Sequence, residues 1–408
     1  MKALPALHFE VVVVGAGAAG IAAGRALQHA GARYVVLEAA GRIGGRALTD
    51  LSLGVPIDLG CTWLHSADEN VLADTKGVRF GEDLEPYYLY LDDEKRWATA
   101  SEQASIRAYI DECEAKLIDT GRRGFDPSTD EVVGQASPYR PHFDWWCGAY
   151  TSATADRVGA MDWARYRDTG QNWTVESGYG ALIASRAIGI NILRETPATM
   201  IETLPGGAQR IQTPAGPLTA ETVVITASTA AMERIRFEPA LPDWKRDALE
   251  RLPLGRANKV ALRFDSIDPD WSDGRNTKMS MRMGRWGKPV VEVFIDAAHA
   301  QQLEPGGESA QIEFVLNELN TIFGSTVRKR FKAGRASCWG NAPWIWGAYS
   351  ATTPGGGDPR ADLAKPLDGR VFFAGEATHP HFFSTAHGAW ESGMRAAQEA
   401  LEIISNKR

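Results

Sequence analysis

Cysteine is scarce in this 408-residue chain, which has only Cys61, Cys113, Cys147 and Cys338. None belongs to a CxxC pair, so neither a zinc site nor a disulfide framework is indicated. A basic excess is missing too. With 44 Lys and Arg against 51 Asp and Glu, the formal net charge is −7, which argues against a nucleic-acid partner, since nucleic acid selects a basic face. No apolar run approaches the roughly 18–20 residues that span a bilayer. The opening MKALPALHFE enters a strand too soon to hold a secretory leader. These absences lead us to expect a reduced, cytoplasmic chain with no membrane partner. Repeats and low-complexity tracts are also lacking, and no pattern fixes the oligomeric state.

What is present is an ordinary globular composition, long enough for two domains at about 100–200 residues each. Phe9 to Val14 is a continuous β-branched apolar run, as a buried parallel strand requires. A glycine-rich turn follows, then a helix over Ala19 to Ala30 and a second buried strand over Tyr34 to Leu37, which completes a βαβ unit. Ala198 to Ser228 alternates apolar and polar residues and breaks at Pro205-Gly206-Gly207 and at Pro214 to Pro217, the pattern of a β-meander. Val371 to Ala374 reads as a short strand, and a helix runs from near Thr385 to Ile404. Between these lie a polar helix over Ser101 to Thr120, a tryptophan-rich stretch from His142 to Trp173, and strands at Val260 to Phe264 and Val290 to Ile295.

Gly15-Ala16-Gly17-Ala18-Ala19-Gly20 is a GxGxxG at the strand–helix junction. Its glycines permit the tight turn and a close backbone approach to a pyrophosphate, and the helix N-terminus adds free N–H groups. Glu38, at the end of the next strand and followed by Ala39, is placed to accept bonds from ribose hydroxyls. Directly after it comes Gly41-Arg42-Ile43-Gly44-Gly45-Arg46, a second close approach with two arginines able to face the same diphosphate.

With GRIGGR after that acid, the chain resembles the flavoproteins that include amine oxidases, phytoene-type desaturases and protoporphyrinogen oxidase, and the resemblance implies FAD. Four further motifs narrow the branch. Phe373-Ala374-Gly375-Glu376-Ala377-Thr378-His379-Pro380, followed by Ser384-Thr385-Ala386-His387-Gly388-Ala389, is similar to the flavin end of polyamine oxidases and histone-demethylase-type amine oxidases. That similarity implies that Gly375 and Glu376 meet the ribityl chain, and that Thr385 and Ala386 lie at the flavin's pyrimidine end, where a helix dipole favours a reduced, anionic ring. Asp58 to His65 matches the stretch that passes the flavin, so Gly60, Cys61, Thr62 and Trp63 are implied contacts. Ala198 stands where the family binds adenine through backbone groups. Trp339 to Ser350 matches the segment that carries an aromatic cage wall, here Tyr349, with Trp344 implied beside the cofactor and the chemistry. An electron-rich ring face attracts an alkylammonium ion. The residue that carries a covalent flavin tether in monoamine oxidases is Ala348 here, which implies non-covalent FAD. Lys259, at the head of KVALRF, matches the lysine that holds a water against flavin N5.

The implied fold is α/β. A GR2-type Rossmann-like FAD-binding domain (1–70, 176–252, 366–408) is interleaved with an α+β substrate-binding domain (71–175, 253–365). The implied activity is oxidation of a small-molecule amine by hydride transfer, imine hydrolysis and reoxidation by molecular oxygen, with Lys259, Tyr349 and Trp344 at the chemistry. Two alternatives stay open: a related flavoenzyme acting on a carbon–carbon bond, such as a desaturase or isomerase, and a non-catalytic FAD-binding scaffold. No residue pattern names the amine.

Overall fold

The computed structural model describes residues 8–83 and 88–405. Residues 1–7, 84–87 and 406–408, which fall in the expected domain segments, lie outside the described residues.

Two sheets organise the chain. The first follows from the βαβ unit. His8–Val14 runs parallel to Tyr34–Leu37 on one side and to Leu218–Ile225 on the other. Val11, Val12 and Val13 are wholly buried, because residues on both faces are covered: Val12 packs with Val35, Val223 and Phe373, while Val11 and Val13 pack with the helices Ala18–His29 and Ala386–Ser405. The meander supplies Met200–Thr203 and Gln209–Gln212, turning at Gly206 and Gly207, which both have positive φ. Leu218–Ile225 is shared along its length. Its first half pairs antiparallel with Gln209–Gln212, and its second half pairs parallel with Val371–Phe373. The edge strands Ile192–Leu193 and Arg236–Glu238 are not apparent from sequence periodicity, since two or three residues carry no period.

The second sheet runs, in spatial order, Phe331–Ala336, Asn258–Phe264, Val290–Ile295, Met279–Met283, Gly274–Arg275, Tyr88–Leu91 and Arg96–Trp97. Val260, Leu262 and Phe264 enter a core with Val291, Val293 and Leu319, the last from the helix Gly307–Phe323. The alternate residues point the other way: Ala261 packs with Ile57 and Leu59, so Lys259 is turned toward the 57–63 segment. A helical layer completes this half. Ala100–Arg122 begins with a capping box, Thr99 with Glu102, and it packs against the tryptophan-rich helices Arg140–Thr151 and Ala160–Arg165.

Among the described residues no helix is long and apolar enough to cross a membrane. Among them, too, no group of three or more His, Cys, Asp or Glu side chains converges to hold a metal ion.

Candidate active site

The nucleotide end is built by backbone. Gly15 has φ +102°, and a Cβ on Gly20 would stand 1.8 Å from the Gly15 carbonyl oxygen, so the turn admits no side chain at either place. Gly17 bridges to Gly44 and lies against Gly45. The helix that starts at Ala18 and Ala19 has no side-chain cap and no acid in its first turn. Its N–H groups and dipole are therefore left for an anion. Glu38 is buried, and its two oxygens accept the Ala16 and Ala40 N–H groups, each at 2.8 Å. Burial raises its pKa against those bonds and the nearby Arg42 charge. Ala39 continues this turn. Ala198 packs, partly buried, against the first core.

The two arginines of GRIGGR separate. Arg42 lies over the Trp339 ring at 5.9 Å, and among the described residues no carboxylate pairs with it. Its guanidinium keeps donors for a diphosphate. Arg46 instead donates to Glu376 at 2.8 Å and to the Ala348 carbonyl at 2.6 Å. The expectation that both arginines face a diphosphate is thus modified, because Glu376 neutralises one of them across 330 residues. Burial opposes the Glu376 charge, but Arg46 and Arg360 outweigh it and hold the carboxyl below its usual range. Glu376 also accepts Ser350 Oγ at 2.7 Å and the Ser384 N–H at 3.0 Å. Arg360, itself buried, pairs with Asp162 at 2.7 Å and lies 3.7 Å over the Phe383 ring, which binds the 350–385 region to the helical layer.

At the other end, Lys259 donates to Thr62 Oγ1 and its ammonium stands 4.5 Å over the Trp63 ring. Burial pushes its pKa down to about 8, resisted by Asp58 and Cys61. Asp58, pushed up to about 6 by burial, accepts Thr49 Oγ1 and the Tyr179 N–H. Trp63 is pinned by its Nε1 to Asp83 at 2.5 Å. Gly60 is required because a Cβ there would meet the Arg46 oxygen at 1.8 Å. A cavity lies between Thr62, Trp63, Lys259, Arg282, Arg285 and Glu292.

Tyr349 is partly buried and its hydroxyl donates to the Ala149 carbonyl. Burial raises its phenol far above the normal range. Thr385 caps the final helix by accepting the Gly388 N–H at 3.0 Å. Ala386 and the buried His387 follow, with His387 Nε2 lacking a hydrogen-bond partner among the described residues and burial pushing its pKa down to about 3. Gly375 N–H is held by Ser392 Oγ. Trp344 is 46% exposed and packs edge-on against Trp346, in a segment tied to Ser228 beside the nucleotide turn. Among the described residues its one ring contact is with Trp346, and no ring or cation contact joins it to Lys259 or Tyr349.

Sequence patterns did not reveal an aromatic wall supplied by the helical layer. Tyr150 stacks on Trp163 at 5.1 Å and meets Tyr166 edge-on at 5.0 Å, and Tyr166 meets Phe383 at 5.2 Å. A cavity opens between Tyr150, Trp163, Tyr166, Phe383, Ser350 and Ser384. The signal was the tryptophan density of 142–173, which core packing on helices explains equally well.

A glycine cradle, an uncapped helix start, an acid at the second strand's end and an unpaired arginine fit a dinucleotide. Lys259, bonded to Thr62, and His387, whose Nε2 has no partner among the described residues, are the candidates for its redox end. Fold and site together define an FAD-dependent oxidoreductase. The description "flavin containing amine oxidoreductase" matches residues 18–86 and 88–401, and the chain belongs to that family. It is 28% identical to polyamine oxidase 4 of Oryza sativa subsp. japonica, over 97% of this chain and 89% of that protein. In structure it is similar to cyclohexylamine oxidase from Brevibacterium oxydans, with a TM-score of 0.81, 22% identity and 97% and 99% of the two chains covered. It is also similar to putrescine oxidase bound to putrescine, with a TM-score of 0.82, 19% identity and coverage of 98% and 100%. The protein is an FAD-dependent amine oxidoreductase whose flavin is held without a covalent link. Ala348 offers no sulfur, and burial pushes the Cys61 thiol up to about 12, where little nucleophilic thiolate forms.

Proposed function

We propose that the protein oxidises a small alkylamine to an imine that water hydrolyses to a carbonyl compound and a smaller amine, with molecular oxygen as the final acceptor and hydrogen peroxide as its product. When bound, FAD supplies hydride acceptance at N5 and reoxidation by oxygen. Gly15, Gly17, Gly20, Glu38, Arg42 and Gly45 would hold its adenosine diphosphate half. Glu376, Thr385 and Ala386, with the 60–63 segment, would hold its flavin half.

The chain's own residues have three tasks. Tyr349 and the Tyr150–Tyr166 wall present ring faces and exclude water, which orients a cationic amine and favours its neutral form on entry. Lys259 holds a water through its ammonium and places positive charge where negative charge develops on reduction. The Asp58 carboxylate keeps that lysine charged near neutral pH despite its burial. The observation that carries the reading is Lys259. It is a lysine bonded to a threonine hydroxyl and seated on a tryptophan face, turned toward the 57–63 segment by strand alternation. A surface lysine would have none of these contacts.

A panel of primary, secondary and polyamines, assayed for peroxide with purified yellow protein, tests this. Peroxide and carbonyl product in equal amounts from at least one amine is the expected result. Bleaching by polyenes with no response to any amine would move the enzyme to carbon–carbon chemistry.

A further inference from the structure

A buried ionic chain joins the aromatic cavity to the seat of the flavin. Arg360, on the helix Pro359–Ala364, is 1% exposed, and Asp162, on the helix Ala160–Arg165, is 4% exposed. They pair twice, Nε to Oδ1 at 3.1 Å and Nη2 to Oδ2 at 2.7 Å. Asp162 also accepts the Thr352 N–H and Oγ1, at 2.7 and 2.8 Å. Arg360 reaches on to Ser350, donating from Nη1 to Oγ at 2.9 Å and from Nη2 to the carbonyl at 3.3 Å. Ser350 passes the bond along, its Oγ donating to Glu376 Oε2 at 2.7 Å, and Glu376 ends the chain on Arg46. A buried ion pair is weak ground for stability alone, since desolvation offsets its attraction and an apolar pair of similar volume would serve as well.

The place of this pair points to another use. Ser384, just before Thr385 and Ala386, has φ +63°, which a non-glycine residue keeps only where its surroundings fix it. The same chain fixes it: its N–H donates to Glu376 Oε2 at 3.0 Å and its Oγ to the Ser350 carbonyl at 2.9 Å. Asp162, Ser350, Phe383 and Ser384 also line the aromatic cavity, and the Arg360 guanidinium lies 3.7 Å over the Phe383 ring.

We propose that Arg360 is a positioning residue for the cofactor: through Ser350 it holds Glu376 as a charged acceptor and Ser384 in place, and so retains FAD. The groups around Glu376 leave this task to two arginines. Arg46 comes from the 41–46 turn and is partly exposed, whereas Arg360 is enclosed. The Tyr349 phenol is raised far above the normal range and stays neutral. His379 is taken up by Glu391 at 3.0 Å, and Arg395 by Glu399 and the Phe373 carbonyl. Arg46, then Arg360, hold the Glu376 carboxyl below its usual range against burial. Its charge is therefore lost only in acid. Without Arg360, burial is opposed by Arg46 alone, and the loss moves to higher pH.

The test follows FAD release from the diluted holoenzyme, by flavin fluorescence, from about pH 8 to about pH 5. Ser350→Ala cuts the link to Glu376 and leaves the Arg360–Asp162 pair intact. Arg360→Met combined with Asp162→Asn removes both charges, so no buried ion is left alone. Wild-type release is expected to be slow and flat across this range. Both variants should release FAD at least about tenfold faster at the acid end than at the alkaline end. Arg360→Lys, which keeps the charge but loses the planar fork, should fall between them and the wild type, and it replaces the double variant if that does not fold. Slow, flat release in Ser350→Ala and in the Arg360 variant would overturn the assignment. Faster release that is equal at every pH would overturn it too, and would leave the pair a purely structural brace. Amine oxidation stands in either case, because only the cofactor's seat is at issue.

Discussion

Lys259 is held by short-range forces. The two-residue period of Asn258–Phe264 sends Val260, Leu262 and Phe264 into one core and turns Lys259 to Thr62 and Trp63. Lys259→Met keeps the length and removes charge and donor. It is expected to fold, bind FAD, and slow flavin reduction or reoxidation at least tenfold, a barrier change of about 1.4 kcal/mol or more. Stopped-flow absorbance of each half-reaction checks this, and wild-type rates in both would make Lys259 an ordinary structural lysine. Its pKa of about 8 adds a pH test. Because burial depresses that value, the positive charge is present below pH 8 and lost above it. The affected half-reaction should therefore slow as pH rises through about 8, and this limb should be missing in Lys259→Met. At Tyr349, the ring face matters more than the hydroxyl, whose partner among the described residues is the Ala149 carbonyl. Tyr349→Phe should retain much of the activity and Tyr349→Ala should lose both amine affinity and rate. Equal losses in steady-state kinetics would contradict a cage wall.

At the scale of elements, what could be read from sequence depended on how local each signal was. The strand His8–Val14, the glycine turn, Glu38 and the head of KVALRF are each fixed by neighbours a few residues away, so period and spacing expose them. The Arg46–Glu376 pair joins residues 330 apart, and nothing in either motif shows that one arginine is taken. The Tyr150–Tyr166 wall joins a residue of the helix Arg140–Thr151 to the residue that ends the helix Ala160–Arg165, and the aromatic residues of both have the spacing of ordinary amphipathic packing. Only their convergence distinguishes them. Lys245 is another such case. It is fully buried, and its ammonium donates to the Asp362, Leu363 and Lys365 carbonyls at 2.8, 2.8 and 2.6 Å, which closes the C-terminal end of the helix Pro359–Ala364. Lys245→Met would leave three carbonyls without that donor and is expected to cost about 3 kcal/mol. A urea or thermal melt reads this directly, and an unchanged midpoint would show that water replaces the ammonium there.

At the scale of the whole molecule, the site exists because the chain passes repeatedly between two sheets. The nucleotide cradle comes from the first sheet and Lys259 from the second, where it meets Thr62 and Trp63 of the 57–63 segment. Such a binding site holds its cofactor by many weak contacts, and no sulfur stands at position 348. Acid precipitation should leave all yellow colour in the supernatant; colour in the pellet would identify a covalent attachment, with Cys61 the first residue to examine. The central claim is that an amine delivers its electrons to this flavin. It is tested most directly by titrating the purified holoprotein with putrescine or a longer polyamine under strict exclusion of oxygen while following flavin absorbance. Full bleaching by one equivalent, reversed on admitting oxygen, is the expected result. A flavin that dithionite bleaches but no amine does would contradict it.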